Sequence, residues 1–169
     1  AFMLEWMHDD DVTEYLNTDF SMFVLEDCIK FIEYSTEKSQ NAHYAIVSDD
    51  DEYMGTVSLK NIDLQTSSAE FAITVRRSAM GKGYSWYGMT KILEIGFEKY
   101  NLESIYWCVL KENKRAVSFY DKHHFHEALD IPSTIKKRYE GIGNLKWYSV
   151  LVGDDYKETA QNRKKIAGC

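Results

Sequence analysis

A glycine-rich segment between a strand pattern and a helix pattern places the strongest constraint on how this chain folds. Residues 71–75 form an apolar run typical of a strand, and an amphipathic pattern after residue 85 predicts a helix to about residue 100. The segment between them reads MGKGYS at residues 80–85, a turn that aims several backbone N–H groups at one place. The helix N-terminus adds partial positive charge, so the segment predicts a phosphate site. An ordinary strand-to-helix connection is the alternative.

Two common nucleotide-binding loops do not match this segment. A nucleoside-triphosphate loop needs a longer spacer before its Gly-Lys pair than Gly81-Lys82-Gly83 provides. A dinucleotide-binding turn needs a third glycine and an acidic residue at the end of the next strand, and the sequence supplies neither. These two classes of nucleotide-binding protein are therefore excluded.

The composition indicates one globular domain with an acidic balance. The 169 residues are 44% hydrophobic, and no repeat or low-complexity linker divides them. Twenty basic against 27 acidic side chains give a net charge of -7, which disfavours nucleic acid and tolerates a cationic substrate such as an amine. Cys28, Cys108 and Cys169 lack metal or redox spacing and predict buried or free thiols in a reducing cytoplasm. No leader or membrane-spanning pattern is present, so we expect a cytoplasmic protein with no metal and no membrane partner.

The hydrophobic patterning predicts a mixed α/β sheet that is partly antiparallel. Helices are expected near the N-terminus and over residues 25–39, where Leu25, Cys28, Ile29 and Ile32 share one face. The later elements are strands at 44–47, 53–59, 71–75, 104–110, 125–129 and 145–152, with helices at 84–100, 113–123 and 154–165. We assign residues 1–152 to the domain, with an N-terminal strand missing, and 153–169 to a helix or linker leading to a second domain outside this chain.

A second block of residues stands at the start of a later helix. Residues 113–120 read NKRAVSFY and follow the central strand predicted over residues 104–110. Together with the glycine turn, this block resembles the GNAT acetyltransferase superfamily over nearly the whole chain. The family's acetyl-CoA loop, Gln/Arg-x-x-Gly-x-Gly/Ala, falls on residues 80–85, and its Asn-x-x-Ala-x-x-x-Tyr block matches Asn113, Ala116 and Tyr120. Both blocks come in the family's order and between the expected elements.

The chain departs from the family pattern within both blocks. Met80 stands where the loop has a basic or amide residue, and Ser85 replaces its final small residue. His124 stands where the second block has a glycine before Phe125. Because the loop binds through its backbone amides, we expect the first two changes to be tolerated, whereas the third brings the geometry of that turn into question.

The resemblance implies a single domain of the α/β (α+β) class with acetyl-CoA as its co-substrate. Its central sheet would be mixed and largely antiparallel, splayed at the cofactor site, with helices on both faces. Free backbone groups of Ile73, Thr74 and Val75 would pair with the pantetheine amides, and the amide near Ile73 would stabilise the oxyanion. The other cofactor contacts would come from the two blocks: Met80, Gly81, Lys82, Gly83, Tyr84, Ser85, Asn113 and Ala116.

The two proton transfers that an amine acceptor requires also have candidate residues. Tyr120 stands where the family places the acid that protonates the leaving thiolate, although a core tyrosine on an amphipathic helix fits as well. Glu70 opens the strand before the splay and is our candidate base, acting directly or through water, with a solvated strand-edge glutamate as the alternative. His43, His123 and His124 are further candidates for the base, and each also fits a surface or packed histidine.

The identity of the acceptor depends on weaker signals. Residues 4–10, LEWMHDD, resemble the Trp-x-x-Asp region of the ribosomal-protein N-terminal acetyltransferase branch, whose relatives acetylate amino groups on nucleotide-linked sugars. We therefore expect a small-molecule amine as acceptor, and within that class an amino sugar on a nucleotide carrier. A protein N-terminal acetyltransferase and a non-catalytic acyl-CoA-binding module stay open as alternatives. The sequence also leaves a homodimer open.

Overall fold

The computed structural model describes residues 2–36 and 40–154, which form a five-stranded sheet with helices packed on its faces. The strands lie side by side in chain order: β1 (Ala42–Val47), β2 (Tyr53–Asp63), β3 (Ser68–Val75), β4 (Ser104–Leu110) and β5 (Leu145–Leu151). Within this sheet β3 and β4 run parallel, and the other neighbouring pairs are antiparallel. The mixed, largely antiparallel sheet predicted from the sequence is therefore confirmed.

The α-helices of the described residues lie in two layers. They are α1 (Phe2–Met7), α2 (Asp10–Thr13), α3 (Leu25–Thr36), α4 (Tyr84–Glu98), α5 (Lys114–Lys122) and α6 (Ser133–Lys137). α4 links the parallel strands and packs on β2 and β3. α1 and α3 lie on the opposite face, where the Trp6 indole donates a hydrogen bond to the Tyr53 hydroxyl at 3.1 Å. This arrangement confirms the prediction of helices on both faces.

α4 approaches the sheet closely because two of its positions carry no side chain. A Cβ added at Gly88 would stand 2.4 Å from Ile46 Cδ1, and one added at Gly96 would stand 2.7 Å from Ile105 Cδ1. Both distances are shorter than side-chain atoms allow, so the glycines set the spacing between helix and sheet. This close packing also fixes the start of α4, and with it the glycine turn, relative to β3.

α3 forms where predicted but buries less of its apolar face than the pattern suggests. Cys28 is 3% exposed, whereas Leu25, Ile29 and Ile32 are 46%, 46% and 53% exposed. The helix packs through Cys28, which contacts Met7, and through Phe31, so the rest of its wide apolar stripe faces solvent. The final residues of the predicted helix, 37–39, lie outside the described residues.

The segment between α5 and β5 differs from the prediction. Residues 125–129, predicted as a strand, form only an isolated bridge between Glu127 and Tyr148. Phe125 is 7% exposed and packs edge-on against Trp107, so its apolar character reflects core packing rather than strand pairing. The last predicted strand is confirmed by β5, while the predicted helix at 154–165 lies outside the described residues beyond Asp154.

Two expectations about the whole chain can be compared with the described residues. No helix among them is long and apolar enough to cross a membrane. Cys28 and Cys108 are both free, and Cys169 lies outside the described residues. Burial raises the pKa of Cys108 to about 12, so this thiol stays protonated at neutral pH.

Candidate active site

A cleft opens where the parallel strands separate. Pairing between β3 and β4 ends at Glu70 and Tyr106, although the strands continue to Val75 and Leu110. The space between the diverging ends has a volume of about 340 Å³ and reaches Tyr120 on α5. This is the splay that the resemblance implies.

The register of β3 determines which backbone groups face the cleft. The Arg76 N–H donates to the carbonyl of Met54 on β2 at 2.9 Å, and Thr74 is the cross-strand partner of Thr56, which also lies on β2. Because backbone groups of successive residues point to opposite neighbours, Thr74 directs its N–H and C=O towards β2, whereas Ile73 and Val75 direct theirs towards the cleft. The structure thus leaves two of the three predicted residues with backbone groups available to a ligand.

The glycine turn leads into α4 through two left-handed glycines. Gly81 and Gly83 have φ values of +74° and +88°, in the left-handed region that glycine adopts without strain. A Cβ at either position would meet nothing within 4 Å, so φ rather than crowding requires glycine. α4 begins directly after Gly83 and has no side-chain cap. Its first N–H groups, from Tyr84 and Ser85 onwards, therefore lack intrahelical partners and can bind phosphate oxygens.

Arg115 supplies a cation at this turn that the sequence analysis did not single out. Its Nη1 lies 2.8 Å from the Met80 sulfur, and its Nη2 donates to the Asp11 carbonyl at 3.3 Å. Arg115 borders a cavity of about 210 Å³ together with Gly81 and Ser85. The sequence signal that could have pointed to Arg115 is the methionine at position 80, where the family loop has a basic or amide residue. A phosphate-binding loop that lacks its own cation is expected to receive a cation from another element.

Asn113 explains the spacing of the second block. Its side-chain oxygen accepts a hydrogen bond from the Ala116 N–H at 3.0 Å and caps the N-terminus of α5. Asn113 and Ala116 both border the cleft, and the carboxamide nitrogen of Asn113 remains a donor for a bound molecule. A helix cap and a ligand contact are therefore compatible at the same residue.

Tyr120 is both a core residue and a wall of the cleft. It is 5% exposed, and its ring centroid lies 5.3 Å from that of Trp107 and 5.0 Å from that of Tyr148. Burial raises the pKa of Tyr120 above its usual value of 10.0, so the hydroxyl is protonated at neutral pH. The two interpretations of Tyr120 are thus not exclusive, because packing holds a proton donor at the cleft.

Glu70 is not a solvated glutamate at a strand edge, and that alternative is wrong. The residue is 2% exposed, and its carboxylate accepts hydrogen bonds from Arg138 Nε at 2.7 Å and Asn61 Nδ2 at 2.9 Å. The Tyr139 hydroxyl donates to its second oxygen. These contacts hold the segment after α6 against β3, so the arrangement favours a positioning role. A role for Glu70 as base stays a prediction.

The three candidate histidines have different surroundings. His43 Nδ1 lies 2.7 Å from the Ser58 hydroxyl, and burial, followed by the positive charge of Lys60, lowers the pKa of His43 below 6.5. His123 is stacked on Trp86 with ring centroids 3.8 Å apart. His124 has a φ of +61°, so it takes the conformation of the glycine it replaces and the turn is preserved. Of these three, His43 borders a cavity next to the cleft.

That cavity lies between the sheet and the layer formed by α1 and α3. It has a volume of about 260 Å³, and its walls are largely apolar: Met3, Trp6, Met7, Phe20, Phe23 and Phe31. Residues 72–74 of β3, together with Lys60, border both the cavity and the cleft, so the two spaces meet at the splay. We call this space the acceptor cavity. Across residues 2–36 and 40–154, no group of three or more His, Cys, Asp or Glu side chains is placed to hold a metal ion.

Comparisons with known proteins agree with this geometry. The acetyltransferase (GNAT) domain profile matches residues 1–126. An uncharacterized N-acetyltransferase p20 of Bacillus licheniformis is 31% identical over 120 residues, which are 68% of this chain and 66% of that protein. Acetyltransferase PseH of Campylobacter jejuni subsp. jejuni is 24% identical over 123 residues, 73% of this chain and 74% of that protein.

Solved structures share the fold. Spermidine N-acetyltransferase from Vibrio cholerae, in complex with CoA and spermine, superposes with a TM-score of 0.70 at 20% identity, over 89% of this chain and 88% of that one. The splayed strands, the left-handed glycine turn and the open start of α4 fit acetyl-CoA as co-substrate. This chain belongs to the GNAT acetyltransferase family and is an acetyl-CoA-dependent N-acetyltransferase.

Proposed function

We propose that the protein acetylates the primary amine of a small molecule bound in the acceptor cavity, and that this molecule is an amino sugar carried on a nucleotide. The observation that carries the proposal is the junction of cavity and cleft at residues 72–74. An amine in the cavity would meet an acetyl group in the cleft beside the amide of Ile73. A cavity of about 260 Å³ suits a compact ring better than a polypeptide chain.

The cofactor contacts follow from the cleft. Acetyl-CoA supplies the acetyl thioester when it is bound. The N–H groups at the start of α4 and the guanidinium of Arg115 would hold its pyrophosphate. Ile73 and Val75 would pair with the pantetheine arm, and Asn113 would donate to it from α5. The N–H of Ile73 would stabilise negative charge on the acetyl oxygen during attack.

The proton transfers can be assigned to the two sides of the sheet. Tyr120 would protonate the leaving thiolate, because its hydroxyl is protonated at neutral pH and the residue borders the cleft. His43 would receive the proton of the amine, because it is neutral at pH 7 and borders the acceptor cavity. His43 on β1 and Ala72 on β3 are both cross-strand partners of Ser58 on β2. Two strand spacings therefore separate His43 from Ala72 by about 10 Å, so this proton transfer would pass through water. Glu70, the base predicted from sequence, would instead hold the cleft wall in place.

A screen of acceptor amines tests the proposed function. Release of free thiol from acetyl-CoA is followed with UDP-glucosamine, spermidine and a peptide with a free N-terminus. We expect the sugar nucleotide to have the highest kcat/KM of the three. Faster turnover of the peptide would replace the proposal with a protein N-terminal acetyltransferase. Binding of acetyl-CoA without turnover of any amine would favour a non-catalytic acyl-CoA-binding module.

A further inference from the structure

Lys60 is a half-buried cation at the junction of the cleft and the acceptor cavity. It lies on β2, and the residue borders both spaces. Across residues 2–36 and 40–154, its ammonium makes no hydrogen bond and no ion pair. Holding a lysine in such a place without a counter-charge is unfavourable unless solvent or a ligand supplies one.

The nearby carboxylates are already engaged by other donors. Glu70 is the cross-strand partner of Lys60, but its oxygens accept from Arg138, Asn61 and Tyr139. Asp27, on the far wall of the acceptor cavity, caps the start of α3 by accepting from the Val24 N–H at 3.0 Å. Arg138 pairs with Glu70, so among residues 2–36 and 40–154 Lys60 is a cation without an ion-pair partner at the junction, and the Asp27 carboxylate lies across the acceptor cavity.

The positive charge of Lys60 acts to lower the pKa values of two titratable groups near it. It opposes protonation of His43 and favours ionisation of the Cys108 thiol, on the two sides of the junction. These groups lie on β1 and β4, so the field of Lys60 extends across the sheet towards both spaces. An anion placed at the junction would therefore be attracted, and a polycation would be repelled.

We infer that Lys60 binds an anionic group of the acceptor, a phosphate or a carboxylate, and so selects amines that carry a negative charge close to the reacting nitrogen. The inference rests on the proposed function, since it names the class of acceptor for the same site. Lys60 faces Glu70, which precedes Ile73 by three residues, or about 10 Å along the strand. The anion and the amine of one sugar-sized molecule can span that separation.

A matched series of amino sugars tests this selection. The acceptors are glucosamine, glucosamine 6-phosphate, UDP-glucosamine and muramic acid, which distinguish a neutral sugar, a phosphomonoester, a nucleoside diphosphate and a carboxylate. They are assayed with the wild type, Lys60→Met, Lys60→Arg and Lys91→Gln. Lys91 is an exposed control that pairs with Glu94 on α4 at 3.2 Å.

We expect at least one anionic acceptor to exceed glucosamine in kcat/KM by about 10- to 100-fold in the wild type, the range for a hydrogen bond to a charged group. Lys60→Met should abolish this preference by raising KM for the anionic acceptor alone, because a contact present before and during reaction changes binding rather than kcat. Lys60→Arg should restore it, and Lys91→Gln should have no effect. Equal loss for glucosamine and its anionic derivatives would overturn the inference, as would the absence of any preference in the wild type.

Failure of the proposed function can be told apart from failure of the inference. If no amine is acetylated, the binding of UDP-glucosamine to the CoA-saturated protein is measured by calorimetry for the wild type and Lys60→Met. Weakening by about 10- to 100-fold in the variant supports Lys60 as the anion contact even without turnover. Equal affinity, or no binding to the wild type, overturns it.

Discussion

The proposed cofactor side and the proposed acceptor side of the candidate active site are built from different parts of the chain. The cofactor side is mainly backbone: the left-handed turn at Gly81 and Gly83, the open start of α4 and the cleft-facing groups of β3. The acceptor side is made of side chains, among them Trp6, His43 and Lys60, from elements far apart in sequence. Backbone recognition tolerates changes of side chain, whereas side-chain recognition changes with each substitution. One family can therefore keep its donor while its acceptor varies.

The exchange of Tyr120 for Phe would test the chemical step that both sides share. We expect kcat to fall by about 10²- to 10⁴-fold with little change in KM for acetyl-CoA, because the leaving thiolate loses its proton donor while the aromatic packing remains. The matched control is Tyr87→Phe, which removes a hydroxyl from a residue that is 57% exposed on α4. Steady-state kinetics with the best acceptor from the screen provide the measurement. An unchanged kcat would show that Tyr120 is a packing residue alone.

Substitution of Gly83 by Ala tests the backbone side directly. With φ at +88°, an alanine costs about 1–2 kcal/mol of folding free energy and displaces the N–H groups at the start of α4. We expect KM for acetyl-CoA to rise by about 10- to 100-fold. Gly141→Ala is the control, because Gly141 has a similar φ of +83° and also has nothing within 4 Å of an added Cβ. Both variants should lose similar stability in thermal unfolding, and a rise in KM with both would indicate strain rather than lost phosphate contacts.

Arg115 is a side chain on the cofactor side that we expect to contact phosphate. We expect Arg115→Gln to raise KM for acetyl-CoA by about tenfold at low ionic strength without changing kcat, since the guanidinium would contact a non-reacting phosphate. The effect should shrink as salt is added. Lys114→Gln, an exposed neighbour on α5, is the control. Met80→Arg in the Arg115→Gln background should restore affinity by returning a cation to the loop. Without such a rescue, Arg115 would stabilise the loop rather than bind phosphate.

The same contrast explains how much the sequence could reveal. The glycine turn and the Asn113 cap depend on local backbone geometry, so their spacing predicts β3, α4, β4 and α5 close to their observed bounds. The acceptor cavity depends on contacts between distant segments. The sequence did not show that Lys60 would lie at the junction without an ion-pair partner among residues 2–36 and 40–154, or that Glu70 would accept hydrogen bonds from Arg138 and Tyr139. Likewise, an apolar residue such as Phe125 does not reveal whether it pairs in a strand or packs against Trp107.

The smallest expected effect concerns pH, and it links the two side chains that define the acceptor side. If His43 accepts the proton of the amine, kcat/KM should fall as His43 becomes protonated. Because burial and the charge of Lys60 lower the pKa of His43, that fall should lie below pH 6.5.

Lys60→Met removes the positive charge that helps to lower the pKa of His43 and leaves burial as the other cause. Asp27 then remains as a charged residue lining the acceptor cavity. The His43 pKa should then rise, and the acid limb of the pH profile, measured with glucosamine to avoid the anion contact, should move to higher pH. His43→Gln should abolish the limb in both backgrounds. A limb that persists in His43→Gln and disappears in Glu70→Gln would return the role of base to Glu70. Such a result would also make the acceptor side depend on β3, the strand proposed to bind the cofactor.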